Sequence, residues 1–327
     1  MSLNLNFNVT NQKPKIDLIP EVIYDQLVIG GGPSAFSGAL YAARKGLKTG
    51  IIAKKVGGQL LNTSSVDNYL GITDISGEAL SDKFLEHVSS LDVPLLEDVE
   101  VVEVKKEDDL FKITTNTQQT YKAKTLLVST GSNPRKLNIP GEQEFSNKGV
   151  AYCAICDAPL FKDKKVIIAG GGNSAVEAAI DVAKWASSVT VVHRSEFRAD
   201  QILLDQMLDH DKITVFKQTQ LLEIVGDTMM RGVIVFDKAS DQQRKIEADG
   251  IFIEIGNVPN SGLFDGFLAL NEFNEIIIDD HHQTSVPGCF AAGDVTTATY
   301  KQIIVAVADG AKAALAANEY INHQFSK

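Results

Sequence analysis

Apolar and polar positions change rhythm several times along this chain, and the changes mark its elements. Gln26–Ile29 is a short apolar run that ends in Gly30-Gly31-Gly32-Pro33. Small apolar residues then recur at helical spacing through Ala35, Ala39, Ala42 and Ala43 to Gly46, and Thr49–Ala53 is a second apolar run. Short unbroken runs predict buried strands and the helical period between them a helix, so this stretch is a β-turn-α-β unit. The texture returns later. Lys165–Ala169 reads as a strand, Gly170-Gly171-Gly172 as a turn, Ala175 to about Ala186 as a helix and Val189–Val192 as a strand. Two copies so far apart are a duplicated nucleotide-binding design and not a solenoid, whose repeats run roughly 20–50 residues. Between them Val99–Val104 and Phe111–Thr115 alternate as small antiparallel strands do, and Thr125–Ser129 reads as a buried strand. Tyr300–Ile321 has the spacing of a helix packed on its domain, and residues 1–22, polar with Asn, Lys and Pro, read as an extended arm.

Composition narrows the classes. The 327 residues are 44% apolar and 22% charged, ordinary for a globular chain, with length for two domains of roughly 100–200 residues. A net charge of −11 repels phosphate backbones, which argues against nucleic acid as a partner. No apolar run approaches the roughly 18 residues of a membrane span, and the first residues lack the basic-then-apolar order of a secretory signal. Three cysteines are too few for a disulfide framework. The expectation is a cytoplasmic protein.

Gly30-Gly31-Gly32-Pro33-Ser34-Ala35 and Gly170-Gly171-Gly172-Asn173-Ser174-Ala175 both fit G-x-G-x-x-A after a strand and before a helix. The first glycine makes the turn, and the second lets a pyrophosphate approach the backbone. The small last residue brings helix and strand together, and the helix start offers free N–H groups. The acid that usually binds an adenosine ribose is missing after the first unit, where Ala53, Lys54 and Lys55 stand. After the second stand His193-Arg194-Ser195-Glu196-Phe197-Arg198, and paired guanidinium bonds suit a 2′-phosphate, hence NADPH. The alternative is a solvated Arg/Glu surface loop. Gly293-Asp294 closes another apolar run, where an acid can hold a ribose or ribityl hydroxyl or simply cap a helix, and Thr130-Gly131 closes a further buried strand beside the same ligand.

Cys153-Ala154-Ile155-Cys156 precedes Asp157. Such a pair can be a redox disulfide, half a zinc site or two inert thiols. Zinc needs more ligands than the remaining Cys289, in an apolar run, and the distant His281-His282 supply, so redox chemistry is favoured and no metal is expected. Asp157 is then the candidate proton donor and acceptor.

These motifs, with Gly57-Gly58-Gln59-Leu60 and Tyr300-Lys301-Gln302, occur in an order that resembles the low-molecular-weight thioredoxin reductases over about Tyr24 to Ile321. The order is also very like the reductase portion of the alkyl hydroperoxide reductase flavoprotein subunit. The resemblance implies an α/β fold of two Rossmann-like nucleotide-binding domains (three-layer ββα, pyridine nucleotide-disulfide oxidoreductase class II). The FAD domain would be 23–132 with 250–327, and the NADPH domain with the cysteine pair 133–249. FAD would lie on Gly30, Gly32, Pro33, Ser34 and Ala35, with Gly57, Gly58, Gln59 and Leu60 beneath it and Asn68 near the flavin. Thr130, Gly131, Gly293, Asp294, Tyr300, Lys301 and Gln302 would complete that site. NADPH would take Gly170, Gly172, Asn173, Ser174 and Ala175, with His193, Arg194 and Arg198 at the phosphate. Cys156 would face the flavin, Cys153 would attack the partner, and Asp157 would serve as acid/base.

Two departures stand out: Ser195 replaces a second arginine in a loop one residue shorter, and the peroxide-reductase flavoprotein has an extra N-terminal redox domain. The implied enzyme is a homodimer that reduces a thioredoxin-like or glutaredoxin-like disulfide, its domains turning on crossings near Gly131–Arg135 and Ala248–Gly250. The rival readings are a peroxide-reductase type using NADH with a separate redox-domain partner, a ferredoxin-fed reductase, and a nucleotide-sensing binding protein.

Overall fold

The computed structural model describes residues 16–63 and 65–325. In chain order the first elements are β1 (Ile23–Ile29), α1 (Pro33–Arg44), β2 (Thr49–Ala53), α2 (Gly77–Ser89), β3 (Leu95–Glu97), β4 (Val101–Glu107), β5 (Leu110–Thr115) and β6 (Thr120–Val128). Next come β7 (Ser132–Pro134), β8 (Val150–Ala151), α3 (Ala154–Asp157), β9 (Lys165–Ala169), α4 (Asn173–Ala183), β10 (Ser188–Val192), α5 (Gln201–Leu208) and β11 (Ile213–Phe216). The last are β12 (Thr219–Gly226), β13 (Met230–Asp237), β14 (Gln242–Glu247), β15 (Gly250–Ile253), β16 (Asn257–Pro259), β17 (Cys289–Ala291) and α6 (Ile303–Phe325).

The chain divides into two units. The first holds the described residues up to Gly58, Leu80–Gly131 and those from Pro259 onward. Its sheet runs β3-β2-β1-β6-β5-β4, with β17 also on β6. β1 lies parallel to β2 and β6, while β6 is antiparallel to β5. The predicted unit is therefore present as a parallel β1-α1-β2 crossover, and the alternating segments are the antiparallel flank. Both faces are covered. Val28, Ile51 and Leu127 pack with α1 and α6, while Leu27, Ile29, Phe111 and Leu126 build a second layer with Phe264 and Ile276. Each such fully buried side chain contributes roughly 1.5–3 kcal/mol. The expected arm lies outside the described residues for 1–15. From Ile16 the chain packs on this unit, with Leu18 buried in its core and the Leu95 N–H donating to the Ile16 carbonyl at 3.2 Å.

The second unit comprises Gln59–Ala79 and Ser132–Val258. Its main sheet runs β11-β10-β9-β15-β8, and every pairing in it is parallel. An antiparallel β12-β13-β14 sheet packs beside it through Val233, Val235 and Ile251. Because β15 pairs with β9 and β8, the chain crosses back between Val258 and Pro259, not at Ala248–Gly250. An apolar run does not reveal which sheet will take it. Gln59–Ala79 also groups with the second unit and not with the first. Among the described residues no helix is long and apolar enough to cross a membrane.

Candidate functional site

In the first unit the carboxyl ends of β1, β6 and β17 lie side by side. The Ser129 N–H donates to the Ile29 carbonyl at 2.8 Å, and the Ala292 N–H donates to the Val128 carbonyl at 3.0 Å. Parallel sheets bind ligands at this edge. Gly30 takes φ +133°, and a Cβ there would run into the Ser129 carbonyl, so turn and packing both require glycine. Gly32 differs. Its φ of −97° and ψ of −174° suit any residue, and a Cβ there would meet nothing within 4 Å. Pro33 opens α1, and the first turn has neither a capping side chain nor an acid. Gly58 faces Gly32, since a Cβ on Gly58 would stand 3.5 Å from the Gly32 Cα. Gly57 donates its N–H to the Gly31 carbonyl at 2.7 Å. The result is a bare shelf of backbone before a helix with free N–H groups, the shape and charge a pyrophosphate needs.

Ser34 and Ala35 are buried in α1, and Ser34 Oγ touches the space beside Gly293. Gln302 directly precedes α6, and Asp294 lies in the turn after β17. The other candidates of this group have contacts or places of their own. Thr130 spends its hydroxyl on the Asn260 carbonyl at 2.8 Å, and the Gly131 carbonyl accepts the Asn260 N–H at 2.9 Å. Lys301 pairs with Glu275 at 3.0 Å, Tyr300 is exposed and Leu60 is a core residue. Gln59, Leu60 and Asn68 group with the second unit, Asn68 on its surface.

The second unit repeats the turn. Gly170 has φ +154°, with the Glu254 carbonyl where a Cβ would go, and Ala175 is fully buried beneath it. Gly172 again has an ordinary φ of −96° and nothing within 4 Å of a Cβ, before an α4 whose first turn carries no acid. The loop after β10 folds onto this turn. Arg198 donates its N–H to the Gly171 carbonyl at 2.8 Å, and Asn173 and Asp200 exchange two hydrogen bonds at 2.9 Å. Asn173 thus docks the loop, and Arg194, Arg198 and Ser174 stay exposed at its surface. His193 is buried against Gly171, its Nε2 3.1 Å from both the Glu196 carbonyl and Ser195 Oγ, which makes it the organiser of the loop. Burial holds its pKa below the ordinary histidine value. Glu196 is tied to Lys217 at 3.2 Å, and Lys238 donates to the Arg194 carbonyl at 3.2 Å. Nothing in the sequence pointed to these two lysines, because they come from β11–β12 and from the end of β13.

Strand order explains the rest. β10-β9-β15-β8 places in one row the residues that follow each strand: His193, Gly170, Glu254 and Tyr152-Cys153. Cys153 and Cys156 form a disulfide with Cα atoms 5.3 Å apart, both partly exposed. Ile155 (65% exposed), between the two cysteines, and Leu160 (49%), just after them, are exposed apolar side chains. Burial raises the Asp157 carboxyl to about 6. Glu254 accepts the Ala154 N–H at 3.2 Å, and burial raises its carboxyl to about 7. No signal in the sequence marked Glu254. Before the pair, Tyr152 donates its hydroxyl to Glu142 at 2.9 Å, and the buried Glu142 also accepts the Leu137 and Asn138 N–H groups. Cys289 stands apart on β17, where burial pushes its thiol up to about 12. Among the described residues no group of His, Cys, Asp and Glu could hold a metal ion.

The chain matches the model of the family described as pyridine nucleotide-disulphide oxidoreductase over residues 24–310. It is 42% identical over 299 residues to a Bacillus subtilis protein named NADH dehydrogenase, covering 91% of this chain and 58% of that one. It is 40% identical to the alkyl hydroperoxide reductase F protein of Staphylococcus aureus, covering 91% and 59%. It thus spans somewhat under three fifths of these relatives. Thioredoxin reductase from Streptococcus pyogenes superposes with a TM-score of 0.86 at 36% identity, covering 92% of this chain and 99% of that one. That from Giardia duodenalis does so at 0.85 and 30%, covering 91% and 98%.

Proposed function

The chain belongs to the pyridine nucleotide-disulphide oxidoreductase family, and from that premise we propose that it is a flavoprotein disulfide reductase. Electrons from a nicotinamide would reach Cys153–Cys156 through FAD and pass on to a disulfide of a thioredoxin-like or glutaredoxin-like protein. The observation that carries the reading is the pair Gly32 and Gly172. Neither has a backbone angle or a neighbour that asks for glycine, yet each leaves a helix start bare. Two phosphate-bearing ligands account for both.

The residues present fit the two groups. FAD would be held by Gly30–Ala35 with Gly57, Gly58, Asp294 and Gln302. The nicotinamide dinucleotide would be held by Gly170–Ala175 and the loop that Asn173 docks. FAD held there would supply two-electron redox chemistry between a nicotinamide and the Cys153–Cys156 disulfide. The protein's own part is thiol and proton chemistry. A disulfide opened by two electrons needs two protons to become two thiols, and Asp157, poised near 6, holds one of them. The Cys153 thiolate attacks one sulfur of the partner's disulfide, whose other sulfur leaves and takes a proton. The Cys156 thiolate then attacks Cys153 Sγ, closing the internal disulfide and releasing the partner's dithiol. Ile155 and Leu160 offer apolar surface for that partner.

NADPH is the preferred donor in this reading, because Arg194, Arg198, Lys217 and Lys238 gather around one short loop whose acids, Glu196 and Asp200, are tied to Lys217 and Asn173. The second reading takes NADH and a separate redox-domain partner. It is favoured by the relatives named for NADH dehydrogenase and alkyl hydroperoxide reductase, of which the chain spans only part. The test is to purify the flavin-bearing protein and titrate it with NADPH and NADH separately, following loss of flavin absorbance. Bleaching at far lower NADPH than NADH supports the first reading and the reverse order supports the second. No bleaching by either would refute both.

A further inference from the structure

Glu254 holds a place that the chemistry above does not use. It follows β15, between the two functional turns of the second unit. Its backbone carbonyl fills the space beside Gly170, and its N–H donates to the Ala169 carbonyl at 2.8 Å. Its side chain reaches the other way, where Oε1 accepts the N–H of the peptide that joins Cys153 to Ala154, at 3.2 Å. A buried carboxylate is costly unless its charge is balanced. Among the described residues no cation balances this one: burial raises its pKa, and only that one amide bond pulls the other way. The titratable groups of the helix packed against it are Cys153, Cys156 and Asp157, and Gly170 on the other side brings none.

We infer that Glu254 is a positioning residue for the dithiol: its carboxylate is held on the peptide that follows Cys153, where a second negative charge on the Cys153 thiolate opposes it, so Cys153 becomes a nucleophile as Glu254 takes up a proton. The inference rests on the proposed redox role of the pair. Charges balance in this step. The Cys153 S–H gives up its proton, the Glu254 carboxylate gains one through solvent, and the local charge stays at minus one. Two anions on either side of one buried peptide repel, so the one is favoured as the other is neutralised. Asp157, directly after Cys156, remains for the second thiol. The arrangement arises from topology, since β15 inserts between β9 and β8 and delivers its next residue to the cysteine helix.

The experiment uses the full-chain holoenzyme carrying Cys156→Ser, reduced with dithiothreitol and then freed of it. The rate of Cys153 alkylation by iodoacetamide is followed from pH 5 to 9, with peptide mapping to confirm the site. With Glu254 present the profile should need two ionisations. Glu254→Gln keeps an acceptor for the Ala154 N–H but cannot titrate. It should leave one ionisation, shifted down so that alkylation near pH 8, where the parent's Glu254 is ionised, is about tenfold faster. Glu254→Asp, which keeps a carboxyl, should keep the second ionisation. Superimposable profiles for Glu254 and Glu254→Gln would overturn the inference. A separate measurement isolates the reading beneath it: thiols gained by the parent enzyme on adding NADPH or NADH. If none are gained, the proposed function fails. If two are gained and the profiles still coincide, only the role of Glu254 fails.

Discussion

Replacing Gly32 by alanine separates what the fold needs from what the ligand needs. At φ −97° and ψ −174°, with nothing within 4 Å of a Cβ, alanine fits the folded chain without strain. It also restricts the unfolded chain, so the flavin-free protein should gain about 0.4–1 kcal/mol. For a chain of this size that raises Tm by roughly 0.5–2 °C. The added methyl occupies the shelf where a pyrophosphate must lie. Losing even one charge-assisted amide bond costs about 1.5–3 kcal/mol, or about ten- to a hundredfold in flavin affinity. The assay is thermal unfolding of stripped protein, together with flavin titration by quenching of its fluorescence. The variant should be more stable empty and bind flavin worse. Parental flavin affinity, or a less stable empty protein, would refute the assignment of this shelf. Gly30→Ala is the contrast: its Cβ at φ +133° meets the Ser129 carbonyl, so it should weaken folding itself.

Other consequences follow from the same geometry. Arg194→Ala with Arg198→Ala should weaken NADPH binding about tenfold or more while leaving NADH little changed, checked by titrating each nucleotide. Cys153→Ser or Cys156→Ser should abolish reduction of a protein disulfide, such as that of a purified thioredoxin, yet leave flavin bleaching by the nicotinamide intact. Asp157 and Glu254 both bind protons more tightly folded than unfolded, with folded values of about 6 and about 7. Their stabilisation is complete below an unfolded value near 4 and is lost as pH rises through about 6–7. Relative to Asp157→Asn with Glu254→Gln, the parent should lose stability between pH 4 and 8, on the order of a few kcal/mol in urea unfolding. A difference that does not vary with pH would show that neither carboxyl is perturbed.

The β-turn-α-β units were legible because their signals are local: apolar runs, helical spacing and glycine triplets all fall within about thirty residues. Cys153-Ala154-Ile155-Cys156 was legible for the same reason. The remainder depends on which strand lies beside which. Gly250–Ile253 is a buried apolar run that either sheet could take, and only its pairing with β9 and β8 places it in the second unit. That pairing brings Glu254 to Ala154 across a hundred residues of chain, so no spacing could reveal it. The loop after β10 was recognised for its arginines, but its docking through Asn173 and Asp200 joins side chains from two separate elements. For His193 the sequence shows only its arginine neighbours, not the contacts of its Nε2 with the Glu196 carbonyl and Ser195 Oγ inside the loop.

Nicotinamide electrons should reach the cysteine pair, and a thiol count reads their arrival. The purified flavin-bearing protein is incubated without oxygen with a slight excess of NADPH or NADH, quenched in denaturant and its thiols counted. The expected result is two more thiols per chain than in the untreated protein, mapping to Cys153 and Cys156, with Cys289 counted in both. A bleached flavin with no gain in thiols would contradict it.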